Sequence, residues 1–338
     1  ARLPGRVASV LDMCASPGSK TGMLAGLVGQ GGFVLGNEPS RKRLGTLRSN
    51  LKQQNLLCCG TCSYPGEHLP LPEASAEGQE RAGWDWVQLD PPCSGWGTVE
   101  KNPQAVRIWQ GDKIKPLVAL QRQLLAEAAR LLLPGGRLAY STCTTNEREN
   151  EDQVRFAVEE LGFDLCPLPD PPGFCLAPAT LPGVWRIEPG EDGQGFFVAL
   201  LQKKGTGGTA SAAGEAGSLE RPEWHVLSPG LLDSACLDSA RLPEGLIAEF
   251  SGTLHFIPAS ALRLLPADFV WKGFPVGRMD RDGRVRSDAF LRTLIPSAEE
   301  VRTRGGAGLG FDEAEPIVRL IGGQSLAVKA GSGVTALS

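Results

Sequence analysis

Two cysteines, each just past a predicted strand, are the residues of this sequence best suited to covalent chemistry. Cys93 lies in Asp90-Pro91-Pro92-Cys93-Ser94-Gly95 and Cys143 in Ser141-Thr142-Cys143-Thr144. A thiolate is a strong nucleophile, although an isolated buried cysteine is usually a small apolar filler. Two strand-end cysteines with an aspartate, Asp90, on the same side favour a site over filler. A third segment, Cys14-Ala15-Ser16-Pro17-Gly18-Ser19-Lys20, follows a short apolar run from Val7 to Met13. Its glycine lets a ligand approach the backbone, and the helix after it offers free N–H groups. Glu38 follows Gly18 by 20 residues, the offset at which an acidic side chain grips a ribose hydroxyl. A glycine turn alone is as consistent with plain structure, but the pair at that offset points to a nucleoside ligand. The G-x-G-x-x-G pattern of hydride-carrying cofactors is absent.

These segments need a scaffold that gathers strand ends. Helical patterns over Thr21–Val28, about Ser40–Gln53 and about Val118–Leu133 alternate with β-prone runs at Gly32–Gly36, Trp84–Leu89 and Arg137–Ser141. Pro134-Gly135-Gly136 is expected to end the longest helix. The alternation predicts an α/β fold, a parallel sheet with helices on both faces, and ligands at the carboxyl ends of its strands. Phe196–Leu201 reads as a returning edge strand. Lys203–Arg221 is mostly Gly, Ala, Ser and Thr, a composition that makes a flexible linker. From Trp224 on, short runs such as Leu254-His255-Phe256-Ile257 and Phe269-Val270-Trp271 predict a smaller β-rich domain. The expected boundaries are 1–202, a linker at 203–222, and 223–338.

At roughly 150 residues per domain, 338 residues also suggest about two domains. The 41% hydrophobic content supports a packed core rather than a disordered chain. No run approaches the ~20 apolar residues of a bilayer span, and no signal peptide opens the sequence, so the expected location is the cytoplasm. Lys and Arg total 34 against 38 Asp and Glu, a formal net charge of -4. That balance excludes a non-specific nucleic-acid coat and leaves only local patches for any such contact. Nine irregularly spaced cysteines fit a reducing compartment better than a disulfide framework.

Five stretches carry a family resemblance: LDMCASPGSKTG, GNEPSRKRLGTLRSN, LDPPCSGWGTVEKNP, LLPGGRLAYSTCTTNERENE and GQGFFVALL, in that order over about Val10 to Gln202. Together they make the chain similar to the Sun-type RNA cytosine-5 methyltransferases, in their bacterial ribosomal-RNA branch. The two-cysteine combination is the specific part. The resemblance implies a Rossmann-like class I methyltransferase fold, S-adenosylmethionine as methyl donor, and a cytosine in RNA as acceptor. The first candidate RNA is 16S ribosomal RNA, and transfer RNA is the next. Cys14, Ala15, Ser16, Pro17, Gly18, Ser19 and Lys20 would hold the donor, with Glu38 on its ribose and Asp90 beside it. Cys143 would add to carbon 6 of the base, Asp90 would hold N3, and Cys93 would assist release of the product. The base would leave its stack to reach them. Lys101 matches a basic family position and would contact the target nucleotide. Residues 224–338 resemble an extension that helps hold RNA, and the expected oligomeric state is a monomer.

The chain departs from the family pattern in places. Tyr64-Pro65-Gly66 stands where members carry an acid that contacts the donor's adenine, and Asp90-Pro91-Pro92-Cys93 replaces the more frequent Asp-Ala-Pro-Cys. The first strand begins within ten residues of Ala1, which leads us to expect a piece of a longer protein. Two further readings compete with the RNA enzyme. One is a DNA cytosine-5 methyltransferase with Cys93 as nucleophile, and the other is a non-catalytic RNA-binding factor. Cys58, Cys59, Cys62 and His68 lack the paired spacing of a zinc site, so no metal is expected. Arg41, Lys42, Arg43 and Arg48 read as a solvated helix face. Arg278, Arg281, Arg284, Arg286 and Arg292, alternating with acids, read as a solvated hairpin or an RNA patch. Trp271 and Phe274 read as small-domain core, with base stacking as the alternative.

Overall fold

The structure is a computed structural model that describes residues 9–72, 83–98, 114–171, 176–190, 193–205, 225–235, 237–266, 268–283, 285–287, 291, 294, 307–309 and 335–337. Lys101, most of the predicted linker, Arg284 and Arg292 lie outside the described residues. In chain order the elements are β1 (Ser9–Asp12), α1 (Ser19–Val28), β2 (Phe33–Asn37), α2 (Arg41–Gln53), β3 (Cys59–Cys62) and β4 (Trp84–Leu89). Then come α3 (Ile114–Leu131), β5 (Leu132–Thr142), α4 (Glu151–Glu160), β6 (Phe163–Cys166), β7 (Trp185–Ile187) and β8 (Phe196–Lys203). Further on lie β9 (His225–Leu227), β10 (Gly245–Phe250), β11 (Thr253–Pro258), α5 (Ala259–Leu264), β12 (Trp271–Lys272), β13 (Phe274–Met279) and β14 (Val285–Ser287). A short parallel pair, Ala307–Leu309 with Thr335–Leu337, completes the described strands.

The chain divides into two compact units, Ala1–Pro222 with Ile257–Phe274, and Glu223–Phe256 with Pro275–Ser338. The larger sheet has the order β12-β3-β2-β1-β4-β5-β8-β6, with β7 also on β8. From β3 to β5 every pairing is parallel. The connections run outward in one direction from β1 and in the other from β4. Between those two strands lies the switch point, where the carboxyl ends leave a crevice for a ligand. The second sheet has the order β14-β13-β11-β10-β9.

Periodicity explains the helices. In α2 the leucines at 44, 47 and 51 recur on one helical face and are buried with Val10, Val34 and Ala25, while Arg41 and Lys42 point to solvent. In α3 the buried residues Gln121, Leu124, Leu125, Ala128 and Leu131 form the corresponding stripe. All five residues of β2 are buried, as a parallel strand covered on both faces requires.

Several expectations change. Phe196–Leu201 is not an edge: β8 runs antiparallel between β5 on one side and β6 and β7 on the other. It also continues to Lys203, a residue whose surroundings in sequence group it with the linker. The long helix starts and stops earlier than its pattern implies, and β5 begins at Leu132 rather than Arg137. Trp84 pairs with Leu132 and Trp86 with Arg137, so Asp85 alone faces Leu133-Pro134-Gly135-Gly136. Gly135, at φ 76, makes this looped bulge possible. Phe269-Val270-Trp271, expected in the C-terminal domain, instead reaches the edge of the larger sheet, where Trp271 pairs with Cys62. Trp271 meets the Phe33 ring edge-on at 5.4 Å between centroids, and a Cβ on Gly60 would lie only 2.7 Å from the Trp271 ring.

Candidate active site

The turn after β1 is built around backbone contacts. Ala15 N donates to Asn37 O (2.9 Å), Ser16 Oγ donates to Arg43 O (3.0 Å), and Arg43 Nη2 donates to Ser16 O (2.9 Å). Asn50 Nδ2 donates to Pro17 O (2.8 Å). Gly18, at φ 109, precedes α1 in a left-handed conformation that L side chains rarely adopt. Ser19 opens α1, Lys20 lies in its first turn, and Cys14 is half-buried. Burial and the neighbouring acids Asp12, Asp90 and Glu38 push the Cys14 thiol up, which makes it a poor nucleophile. Arg43 stays exposed on the solvated face, as expected, and Arg48 is half-buried, but both make polar contacts. Arg43 faces Glu38 at 3.5 Å, and Arg48 Nε donates to Thr61 Oγ1 at 2.9 Å.

Three carboxyl groups stand at the ends of β1, β2 and β4. Glu38, just past β2, is almost wholly buried, and its Oε1 accepts from Ser40 N (2.9 Å). Asp12 closes β1. Its Oδ2 accepts from Thr21 Oγ1 (2.7 Å), while Oδ1 is buried with no hydrogen-bond partner among the described residues. Burial raises this carboxyl to about 6, with Asp90 adding to the rise against the pull of Thr21 and Lys20. Asp90 follows β4, paired with Lys20 Nζ at 2.5 Å and accepting from Ser141 Oγ at 3.2 Å. Lys20 also lies 5.3 Å from the centre of the Phe196 ring. The segment Tyr64-Pro65-Gly66 comes to this same end of the sheet, because Asn37 Oδ1 accepts from Tyr64 N and Asn37 Nδ2 donates to Tyr64 O.

The two cysteines meet. Cys93 Sγ and Cys143 Sγ are 3.3 Å apart. The Cys93 thiol hydrogen-bonds to Cys143, and this contact lowers the Cys143 pKa, with help from Lys20 and against burial and Asp90. The same bond, together with burial, pushes the Cys93 thiol far up. The contact therefore shifts Cys143 toward the thiolate and Cys93 toward the thiol.

Sequence reasoning misses the frame that holds this pair. Glu149 accepts from Ser94 N and Ser94 Oγ, Arg186 clasps the buried Glu151, and Gly97 N donates to Cys143 O. The available signal is Asn146–Glu151, a polar run immediately after a buried strand, which is easily taken for plain solvation. Asp12 is likewise hidden inside a stretch whose glycine turn stands out more.

A parallel sheet with its switch point between β1 and β4, an acid past β2 and reactive side chains past β4 and β5 define the S-adenosylmethionine-dependent methyltransferase class of fold. Within that class the chain belongs to the 16S rRNA methyltransferase RsmB/F family, which matches residues 4–202. The ribosomal RNA small subunit methyltransferase F of Cronobacter sakazakii is 38% identical over 207 residues, 58% of this chain and 40% of that protein. Its counterpart in Shewanella amazonensis is 38% identical over 207 residues, 60% and 42% of the two chains. The chain thus spans about two fifths of the length of these curated relatives. Among solved structures, PH0851 shares 35% identity and a TM-score of 0.52 over 59% of this chain and 43% of that one. NSun6 from Pyrococcus horikoshii, solved with the S-adenosylmethionine analogue SFG, shares 28% identity and a TM-score of 0.50 over 59% and 48%.

Proposed function

We propose that this chain methylates carbon 5 of a cytosine in RNA, with 16S ribosomal RNA as the first candidate, through a covalent adduct between Cys143 and carbon 6. The observation that carries this reading is the 3.3 Å contact between Cys93 and Cys143, which lowers the Cys143 thiol pKa and so favours that sulfur as the nucleophile. A DNA-type reading would make Cys93 the nucleophile, and the Cys143 contact and burial push the Cys93 thiol up, which disfavours that role.

The residues fit the donor. S-adenosylmethionine, when bound, supplies an electrophilic methyl group on a positively charged sulfur and also carries an ammonium group. The unpartnered Asp12 Oδ1 is an acceptor of the kind such a cation needs. Glu38 is the ribose-binding acid, and Cys14 to Lys20 form the wall against which the donor lies. Cytosine carbon 5 is a poor nucleophile until a thiolate adds at carbon 6. Cys143 makes that addition, and Asp90, through a proton it carries or shares with N3, neutralises the charge that builds on the ring. Once carbon 5 carries the new methyl group, its proton passes to solvent and the C–H electrons restore the carbon 5–carbon 6 double bond. The carbon 6–sulfur bond breaks to release Cys143 as thiolate, a departure that Cys93 assists. Lys101 and the C-terminal β-rich unit are assigned to holding the RNA.

The test uses the chain carrying Cys93→Ala, mixed with S-adenosylmethionine and total cellular RNA and run on a denaturing gel. An RNA-linked band that disappears when Cys143→Ala is added supports both cysteine roles. If donor binds and no band forms, the cysteine assignment fails. If the chain binds no donor, the non-catalytic reading replaces this one.

A further inference from the structure

The residues on both sides of each cysteine are tied, directly or through Gln121, to one buried pair, Glu149 and Asn150. Glu149 is wholly buried in the turn between β5 and α4. Its Oε1 accepts from Ser94 N (2.9 Å) and Gln121 Nε2 (3.1 Å), and its Oε2 accepts from Ser94 Oγ (2.5 Å). Gln121 Nε2 also reaches Pro92 O at 2.9 Å, so the residues before and after Cys93 are both engaged. With its proton given to Glu149, Ser94 Oγ accepts from Thr144 Oγ1 at 2.9 Å. Asn150 completes the frame: Thr142 Oγ1 donates to its Oδ1 (2.5 Å), and its Nδ2 donates to Thr144 O (2.9 Å). Thr142 and Thr144 flank Cys143.

We propose that Glu149 is a positioning residue for the cysteine pair: by accepting from Ser94 twice and from Gln121, it sets the distance between Cys93 and Cys143. The inference rests on the two-cysteine reading above. A carboxylate accepts at both oxygens, and every group facing it is a donor. An amide in its place turns one acceptor into a donor and forces Ser94 or Gln121 away. The thiol–thiolate hydrogen bond is then lengthened, and such bonds weaken steeply with distance and angle. Glu149 touches neither sulfur and acts only through the two loops.

The test is the pH dependence of iodoacetamide alkylation at Cys143 in Glu149→Gln, followed by mass spectrometry. Its midpoint should rise by about one pH unit, slowing alkylation near neutral pH about tenfold. In RNA methylation kcat should fall while KM for the donor stays within about twofold, because a misplaced reacting group costs rate rather than donor binding. Ser94→Ala removes the hydroxyl bonds but keeps the backbone one, and should move the midpoint in the same direction even if Glu149→Gln folds poorly. Leu201→Ala, a core truncation on β8 toward the opposite end of the sheet, should weaken folding and leave the midpoint in place. An unchanged midpoint in Ser94→Ala and Glu149→Gln overturns the proposal, as does an equal rise in Leu201→Ala. Since alkylation needs no RNA, failure of Cys93→Ala to trap RNA would refute the cytosine chemistry and leave the positioning result standing or falling by itself.

Discussion

Cys93 Sγ lies 3.3 Å from Cys143 Sγ, and the two thiols are shifted in opposite directions by that single contact. Two loops separated by 50 residues of sequence therefore act as one chemical unit.

Removing Cys93 takes away the contact that lowers the Cys143 thiol pKa. Cys93→Ala should raise the midpoint for Cys143 alkylation and slow modification at neutral pH, about tenfold for every pH unit by which the midpoint climbs. In the unsubstituted chain, peptide mapping after brief alkylation should find Cys143 modified ahead of both Cys93 and Cys14, whose thiols burial and neighbours hold protonated.

Asp12 makes stability depend on pH with a definite sign. Its carboxyl is raised from 3.8 to about 6 by burial, so between those values the folded chain holds a proton that the unfolded chain releases. Stability from this group therefore falls as pH climbs through that window and stays low above it, at a cost of about 3 kcal/mol. Asp12→Asn keeps an acceptor for Thr21 and carries no charge. It should be the more stable variant in urea titrations at pH 8, with the difference vanishing below about pH 4.

Backbone packing leaves no room beside the cysteines. Gly97 N donates to Cys143 O (3.0 Å), and Gly195 N donates to Gly97 O (2.8 Å). A Cβ on Gly97 would lie 2.6 Å from Gly195 O and 2.9 Å from Cys143 O. Gly97→Ala should cost about 1–3 kcal/mol of stability, as over-packing does, and abolish methylation. Gly26, in α1, has nothing within 4 Å of the same added atom. Gly26→Ala should stabilise by about 0.5–1 kcal/mol, and chemical denaturation of the two variants checks both signs.

The Arg186–Glu151 pair is buried, with Arg186 Nη2 2.5 Å from Glu151 Oε2 and Arg186 Nη1 donating to Thr145 O at 2.7 Å. Arg186→Met strands a fully enclosed carboxylate and should cost about 3–5 kcal/mol. Adding Glu151→Leu removes the stranded charge and should recover most of that loss. Urea midpoints of the two single variants and the double variant measure the coupling directly.

The alternation of helical and strand patterns was legible because each element's burial follows a local period, as the leucines of α2 and the alternating strand β8 show. Edges were harder. Nothing within Phe196–Leu201 says that β6 and β7 cover its far side, since that pairing is made with residues outside its own pattern. Trp271 illustrates the same limit: its place beside Cys62 and Phe33 depends on distant strands rather than on its neighbours in the chain.

The sequence by itself determined the chemistry that was available: a glycine turn with an acid 20 residues on, and two cysteines placed after β-prone runs. Residue type and short-range spacing carry that information, because turns and strand ends are local. Only the tertiary structure decided that the two cysteines meet and shift each other in opposite directions, that Glu149 and Asn150 tie both loops, and that Asp12 keeps one oxygen unpartnered among the described residues. Each of these depends on distances between segments far apart in the chain, and a thiol's pKa or a buried carboxylate's cost is set by the atoms within a few ångströms of it.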